Sequence, residues 1–503
     1  MFNATSSYND LSARSRIAGC KSGSQSKSYS ENSSQLKEVT FITLIIDTKE
    51  SKKIYAPLMH SNFRFKQSLT MLKKNDKRLI NAWASFDWSN SVYNLIVTTA
   101  IFPIYYLSTT KEAFGGEMVK YFGLSIKNSV LYSYAIAFSF LVIVILAPIL
   151  SGIADYGGMK KRFMQFFTYL GSLSCIGLYF FTGENVEYGI ACSVFASIGY
   201  AGSLVFYNGF LPEIASKDKM DRISARGFAM GYIGSVILLI VNLVLFLKFD
   251  LFGFETGGSA TRFGFILVGI WWIGFAQIAF YYLKDRTTSK KITYNILGKG
   301  IKELKKVYGI VSKKIVMKRF LSSFFLFSMG VQTVMLLAPL FAESEVGLST
   351  DEIIFVVLIL QLVAIAGAYF FAFLSKIRGN GFAISVTLLV WIFICISGYF
   401  LKEKVSFYGL AAMLGFVMGG IQSISRSTYS KLIPVETKDT ASFFSFYDIT
   451  EKLAIVIGSF SYGFIEQITG SMRNSMISMA IFFIGGFIIL QFAKLKKNLD
   501  YQK

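Results

Sequence analysis

Long apolar runs recur along the chain from about residue 83 to residue 493, and short polar loops separate them. A run of about 20 apolar residues is long enough to cross the hydrocarbon core of a bilayer as an α-helix. The pattern therefore predicts an all-α membrane protein with two six-helix bundles, at 71–283 and 319–493. The twelve expected spans are 83–107, 130–154, 163–182, 188–210, 227–248, 263–283, 319–342, 353–374, 381–401, 405–425, 443–466 and 475–493.

The first predicted span carries a polar face. Asp87, Asn90 or Ser91, Asn94 and Thr98 recur at steps of three and four residues, which places them on one side of a helix. A charged side chain in the hydrocarbon costs several kcal/mol, about 2.5–3.5 on insertion scales. We therefore expect this face to look into protein or into a water-filled cavity.

Composition and charge agree with a membrane protein. The chain has 503 residues, of which 53% are hydrophobic and only 16% charged, with a formal net charge of +21. Lysine and arginine concentrate in short loops between alternate spans, which is the positive-inside pattern that orients membrane helices. The charge therefore indicates no nucleic-acid partner. It predicts both termini in the cytoplasm, by preference at a bacterial inner membrane.

Few residues of this chain are suited to metal binding or catalysis. The four cysteines, Cys20, Cys175, Cys192 and Cys395, have no metal-type spacing, and the last three lie in apolar runs. The only histidine, His60, precedes the first span. We expect no metal site, no cofactor and no enzymatic activity.

Three segments lie outside the predicted bundles. Residues 1–70 are rich in Ser, Asn and Lys, and we interpret them as a disordered extension or as a mis-assigned start, with translation beginning at Met71. Residues 284–318 form a basic linker that contains a weakly amphipathic stretch at 301–315. A solvated linker is the preferred interpretation, and a helix on an anionic membrane surface is the alternative. Residues 494–503 form a basic cytoplasmic tail.

The two halves echo each other in sequence. YNGFLP at 207–212 matches YSKLIP at 429–434, with Tyr and Pro at the same separation, and Gly-Ser at 234–235 answers Gly-Ser at 458–459. Such a parallel duplication of six helices resembles the major facilitator superfamily, in which two bundles move about a site at mid-membrane.

A loop after the second span supports this resemblance. The segment 155–162 (DYGGMKKR) resembles the superfamily motif between helices 2 and 3, although Ser151 replaces its first glycine and Tyr156 stands where a basic residue is usual. The resemblance implies a latch that holds one alternating-access state; a plain basic loop is the other interpretation. The candidate latch and gate residues are Asp155, Gly158, Lys160, Lys161, Arg162, Glu213 and Arg226.

A narrower resemblance covers nearly all of 78–493. The segments 86–93 (FDWSNSVY), 206–212 (FYNGFLP), 223–232 (ISARGFAMGY), 425–434 (SRSTYSKLIP) and 443–452 (FFSFYDITEK) are similar to the vacuole-effluxer family. That family contains the autophagy-related amino-acid effluxers of fungal vacuoles and many bacterial relatives. It implies a transporter of small polar solutes.

Several polar residues within the spans are candidates to bind the solute or an ion. Asp87 is a candidate carboxylate for a proton or a substrate ammonium, and a purely structural pairing is weighed equally. Asp448 and Lys452 stand one helical turn apart beside Glu451, either as a charge relay or as a structural ion pair, which is preferred. Arg426 suits a carboxylate, but we prefer to interpret it as a positive-inside arginine at a helix end. The remaining candidates are hydrogen-bonding side chains: Asn90, Asn94, Tyr207, Asn208, Gln332 and Gln422.

We expect a monomeric secondary transporter that moves a small polar solute by alternating access. Protons are the expected coupling ion, amino acids the candidate solutes and export the preferred direction. A lipid or amphiphile exporter, and a membrane sensor built on the same fold, are the alternatives.

Overall fold

The computed structural model describes residues 74–286 and 296–495. The predictions for residues 1–70, for part of the linker and for most of the tail lie outside these residues. The described chain is almost entirely helical, with one short hairpin. Its helices are α1 (Lys77–Val92), α2 (Phe102–Phe114), α3 (Asn128–Gly157), α4 (Lys160–Gly177), α5 (Val186–Asn208), α6 (Leu211–Ile214), α7 (Met220–Leu247), α8 (Gly257–Tyr282), α9 (Ile296–Lys313), α10 (Ile315–Val346), α11 (Thr350–Arg378), α12 (Asn380–Phe400), α13 (Lys404–Leu432), α14 (Thr440–Thr469) and α15 (Met472–Ala493).

Length and composition identify ten of the described helices as membrane spans, and the bent pair of α1 and α2 makes an eleventh. We count α14 as the twelfth because it has 30 residues and packs against the spans α3, α10 and α15. It carries three charged side chains, Asp448, Glu451 and Lys452, within five consecutive residues. This is the helical architecture that the apolar runs predicted.

The first span differs from the continuous helix predicted at 83–107. After α1 the chain forms a π-helix (Tyr93–Ala100), and α2 then continues at an angle of 42°. Pro103, in the first turn of α2, has no N–H to donate and its ring would clash with the carbonyl oxygen four residues earlier. The regular hydrogen-bond ladder is therefore interrupted at the proline, which is a common cause of helix kinks.

A short hairpin follows α2 and was not predicted. Strand β1 (Met118–Tyr121) pairs with β2 (Leu124–Lys127) in antiparallel register, with Met118 opposite Lys127. Phe122 and Gly123 make the turn with positive φ angles of 47° and 84°.

Each half of the molecule has its own hydrophobic core. One core collects mainly side chains of α1–α8, and the other mainly side chains of α10–α15. Helices α3 and α7 of the first half pack against α14, α11 and α13 of the second. We call the end that carries loops 158–162 and 376–379 the basic end, because Lys160, Lys161, Arg162, Lys376 and Arg378 lie there.

Candidate functional site

A cavity in two parts lies between the halves. The polar chamber, of about 190 Å³, is nearer the basic end and is lined by charged and amide side chains from α1, α5, α13 and α14. The apolar chamber, of about 490 Å³, extends toward the opposite end and is lined mainly by Leu, Val, Ile and Met side chains. Asn94, Gln332 and Ile455 line both, so the chambers adjoin.

The polar face predicted on the first span lies on the wall of this cavity. Asp87, Ser91, Asn94 and Thr98 all line the polar chamber. Of the alternatives left open at the second step, Ser91 is the lining residue, whereas Asn90 is buried and is not part of the wall. The helical spacing predicted which residues share one side of α1, and the structure shows that this side borders the polar chamber.

An ion pair across the two halves lies at this wall. Arg426 of α13 donates from Nη1 and Nη2 to Oδ2 of Asp87, at 3.0 and 3.1 Å, and Tyr207 donates its hydroxyl to the same oxygen at 2.7 Å. Asp87 is only 4% exposed and Arg426 only 3%. The preferred interpretation of Arg426 as a positive-inside arginine at a helix end is therefore wrong. Helix α13 continues to Leu432, beyond the predicted end at 425, so Arg426 lies within it.

Further contacts hold the guanidinium in place, and the sequence did not reveal them. Ser224 of α7 accepts from Arg426 Nε through its hydroxyl at 3.0 Å and from Nη2 through its carbonyl at 2.9 Å. The Phe228 ring lies 4.1 Å below the guanidinium carbon, close enough for a cation–π contact. Both residues belong to the stretch 223–232, which was noted for its family resemblance.

A second charged cluster lies on α14. Lys452 Nζ is 3.0 Å from Glu451 Oε2 and 4.0 Å from Asp448 Oδ1. Gln332 of α10 donates to Glu451 Oε1 at 3.1 Å. The predicted pair of Lys452 and Asp448 is present, but its distance is the longer of the two. Lys452 donates its hydrogen bond to Glu451 instead. The whole cluster lines the polar chamber, so it is not confined to the end of the span.

Of the other predicted hydrogen-bonding residues, some line the polar chamber and one packs behind its wall. Gln422 lines the polar chamber and accepts from the Tyr232 hydroxyl at 2.8 Å, across the two halves. Asn208 also lines it. Tyr207 lies behind the wall, where its ring stacks on Trp83 with centroids 4.6 Å apart.

The predicted latch residues cluster at the basic end. Asp155 of α3 accepts from the backbone N–H groups of Ala441 and Ser442, at 3.2 and 2.7 Å, and so caps the first turn of α14 in the other half. Lys160 contacts Glu213 and Thr440 and donates to the Gly209 carbonyl at 3.2 Å.

The remaining latch candidates make no hydrogen bond from their side chains to the second half among the described residues. Gly158 ends α3 with a φ of 66°, a conformation that favours glycine. Lys161 donates its backbone N–H to Asp285, and the exposed Arg162 lies 3.8 Å from the same carboxylate. Burial raises the pKa of Asp285, which these contacts oppose. Arg226 is exposed on α7, apart from these contacts.

A second inter-half network, centred on Asp221, was not predicted. This carboxylate on α7 accepts from four donors in the second half: Ser375, Asn380, Ser427 and Lys431, at 2.8, 2.8, 2.7 and 2.5 Å. Three of the four are hydroxyl or amide groups, which carry no charge pattern along the sequence. The one charged donor, Lys431, follows the predicted span 405–425, where basic residues are common in any membrane protein.

These contacts are suited to binding and conformational change. Across residues 74–286 and 296–495, no group of three or more His, Cys, Asp or Glu side chains could hold a metal ion. Two buried charge clusters border a cavity between two bundles, and two polar networks join the bundles at one end.

This fold and this cavity define a major facilitator transporter. The chain is similar in structure to FucP in its outward conformation (TM-score 0.61, 14% identity, 82% of this chain and 98% of that one). It is also similar to the human organic anion transporter MFSD10 (TM-score 0.63, 13% identity, 83% and 100%). At these identities the likeness shows the fold alone.

The chain belongs to the family described as vacuole effluxer Atg22 like, whose model matches residues 75–503. It is 29% identical over 432 residues to YxiO of Bacillus subtilis, described as an uncharacterized MFS-type transporter, covering 86% of this chain and 98% of that one. It is 24% identical over 477 residues to autophagy-related protein 22 of Yarrowia lipolytica, covering 76% and 79%. The predicted family and fold class are confirmed, and these relatives are not enzymes.

Proposed function

We propose that the protein exports a small polar solute, with amino acids as the candidate class, in exchange for protons across a bacterial inner membrane. The observation that carries this proposal is the buried Asp87–Arg426 pair, which joins α1 of the first half to α13 of the second beside the cavity. The family description as effluxers supports the direction. The candidate solutes follow from the family resemblance.

The pair can couple a proton to the movement of the halves. If α1 and α13 separate, Arg426 loses its carboxylate, and breaking a buried ion pair costs about 3–5 kcal/mol. A proton on Asp87 removes the attraction before separation, so the cost falls. The hydrogen bonds from Arg426 and Tyr207 all end on Oδ2, which leaves Oδ1 as the oxygen to receive a proton from the chamber.

The charge distribution supports an orientation. Basic loops favour the cytoplasmic side, so we place the basic end and both termini there. The inter-half contacts of Asp155 and Asp221 lie at that end. The apolar chamber lies on the other side of the polar chamber. The described conformation is then closed toward the cytoplasm.

The experiment uses the full chain reconstituted in liposomes that contain a pH-sensitive dye. Pools of amino acids, peptides and organic acids are added to each side in turn. We expect proton movement with at least one amino-acid pool, and its loss in Asp87→Asn. Asp250→Asn, the same chemical change at an exposed loop residue, is the matched control and should move protons like the parent. Proton movement that is indifferent to every pool and to Asp87→Asn would refute the coupled-transport proposal.

An amphiphile exporter is a second candidate, because the larger chamber is mainly apolar. In this case amphiphiles stimulate proton movement and amino acids have no effect. A membrane sensor, the third alternative, would keep its function when both Asp87 and Asp448 are replaced by Asn.

A further inference from the structure

Three buried side-chain oxygen atoms in the polar chamber, each able to accept a hydrogen bond, have no partner among residues 74–286 and 296–495. They are Oδ2 of Asp448, Oδ1 of Asn208 and Oγ of Ser425, and all three residues line the chamber. Asp448 is only 2% exposed and Asn208 only 8%. Leaving a buried polar atom unpaired is costly, most of all on a carboxylate. Unpaired oxygen atoms on the residues that line one chamber fit a ligand that brings hydrogen-bond donors.

The charges around the chamber also do not cancel. When every group is ionised, the three carboxylates that line it (Asp87, Asp448 and Glu451) exceed the two cations, Arg426 and Lys452, by one negative charge. Arg426 is paired with Asp87, and Lys452 is hydrogen-bonded to Glu451. Within the described ranges, the one ion-pair contact of Asp448 is with Lys452, at 4.0 Å. The excess negative charge is therefore centred on Asp448.

One face of α14 connects this carboxylate to the apolar chamber. Asp448 lines the polar chamber, Ile455 lines both, and Ser459 and Tyr462 line the apolar chamber. The steps of seven, four and three residues keep these side chains on one side of the helix. Seven residues rise about 10 Å along a helix. A single small molecule can therefore contact Asp448 and the apolar chamber at once.

We propose that Asp448 binds the ammonium group of an amphipathic organic amine whose apolar body occupies the apolar chamber. This proposal rests on the proposed transport function and adds a preference within it: an amine without a carboxylate binds more tightly than the amino acids that are the candidate solutes there. Ammonium supplies several donors and one positive charge, which match the unpaired acceptors and the net charge. A carboxylate on the solute would find both cations already paired and would be repelled by the excess negative charge.

The test compares three probes with the same phenyl body and different charges. They are 2-phenylethylamine, phenylalanine and 3-phenylpropionate, which carry a cation, a zwitterion and an anion. Binding to the purified full chain is measured by calorimetry. We expect the amine to bind at least about tenfold more tightly than the other two, which is the size of one charge-assisted hydrogen bond.

Variants assign the preference to Asp448. Asp448→Asn should weaken amine binding about tenfold or more and bring the three probes close together, because the charge is lost. Asp448→Glu keeps the charge and should keep the preference for the amine. Asp250→Asn is the exposed control and should bind like the parent.

The parent series decides the proposal even if Asp448→Asn does not fold. Phenylalanine or 3-phenylpropionate binding as tightly as the amine, or no binding of any probe, would overturn it. An amine preference that Asp448→Asn leaves intact would also overturn it. Proton-coupled movement of another solute through Asp87 would still stand in each of these cases, so the two proposals fail separately.

Discussion

Gly227 is required by the geometry of the ion pair. Helix α7 approaches α1 so closely there that a Cβ atom would meet Asp87 Oδ2, Arg426 Nη2 at 2.8 Å and the Trp83 ring at 3.0 Å. Two of these three groups form the inter-half pair, and the third stacks on Tyr207. A methyl group at this position would therefore push the charged partners apart, as well as strain the packing.

Gly227→Ala should lower thermal stability and abolish solute-dependent proton movement. Overpacking of this kind typically costs about 1–3 kcal/mol. The measurement is the unfolding temperature in detergent together with the liposome assay. The matched control is Gly274→Ala on α8, where no atom lies within 4 Å of an added Cβ. Helix propensity favours alanine there by about 0.5–1 kcal/mol. If both substitutions behave alike, the glycine is not needed to accommodate the pair.

At this scale the sequence revealed the polar face but not its partner. Three- and four-residue steps were enough to place Asp87 on the cavity wall, because helix geometry fixes local neighbours. Arg426 is 339 residues away in the chain. Its position after an apolar run is equally typical of a cytoplasmic arginine, and only the packing of α13 against α7 distinguishes the two.

At the scale of elements, helix α9 connects the two halves by contact as well as by sequence. Its Gly300 lies against Gly152 and Ile153 of α3. Lys306 pairs with Asp439, at the start of α14, at 2.6 Å, and this hydrogen bond raises the pKa of Lys306. Its Val307 and Val311 are buried. The preferred interpretation of a solvated linker is therefore wrong for 296–313, which pack on the basic end.

Gly300→Ala should release α9 from α3. An added Cβ would lie 2.7 Å from the Ile153 side chain and 3.0 Å from its backbone nitrogen, so the helices must shift apart. Hydrogen exchange of the backbone amides in 296–313 measures this, and we expect faster exchange. Gly309→Ala, on the same helix with nothing within 4 Å, is the control and should exchange like the parent or more slowly. Equal exchange in both variants would show that the contact at Gly300 does not hold α9.

Helices α9 and α13 show why the packing and the ends of helices were only partly predictable from the sequence. The amphipathic period of 301–315 was visible, but which side the apolar stripe covers depends on α3, far away in the chain. The polar sequence 425–432 (SRSTYSKL) did not resemble a span, yet it is helical and buried. Arg426, Ser427 and Lys431 in this segment are hydrogen-bonded to Ser224 and Asp221 of α7, and this compensation has no local signal.

At the scale of the whole molecule, two polar networks join the halves at the basic end. Asp155, at the end of α3, caps the start of α14, and Asp221, at the start of α7, contacts Ser375 at the end of α11 and Asn380 at the start of α12. In each case a carboxylate of the first half joins a helix end of the second half. Both networks must break when the basic end opens, so together they set the balance between conformations.

Asp221→Asn should therefore shift the protein toward a form open at the basic end. Lys431 would lose its carboxylate while still buried, a cost of about 3–5 kcal/mol that is relieved when the halves part and water reaches it. The measurement is the distance between spin labels at the exposed positions 218 and 376, one in each half, after replacement of the native cysteines. We expect a larger population at long distances in the variant, and the parent distribution in Asp250→Asn. A distribution unchanged by Asp221→Asn, in protein that remains folded, would mean that Asp155 and its neighbours alone keep the basic end closed. Asp155→Asn should then produce the shift by itself, because α14 would lose the carboxylate that caps its first turn.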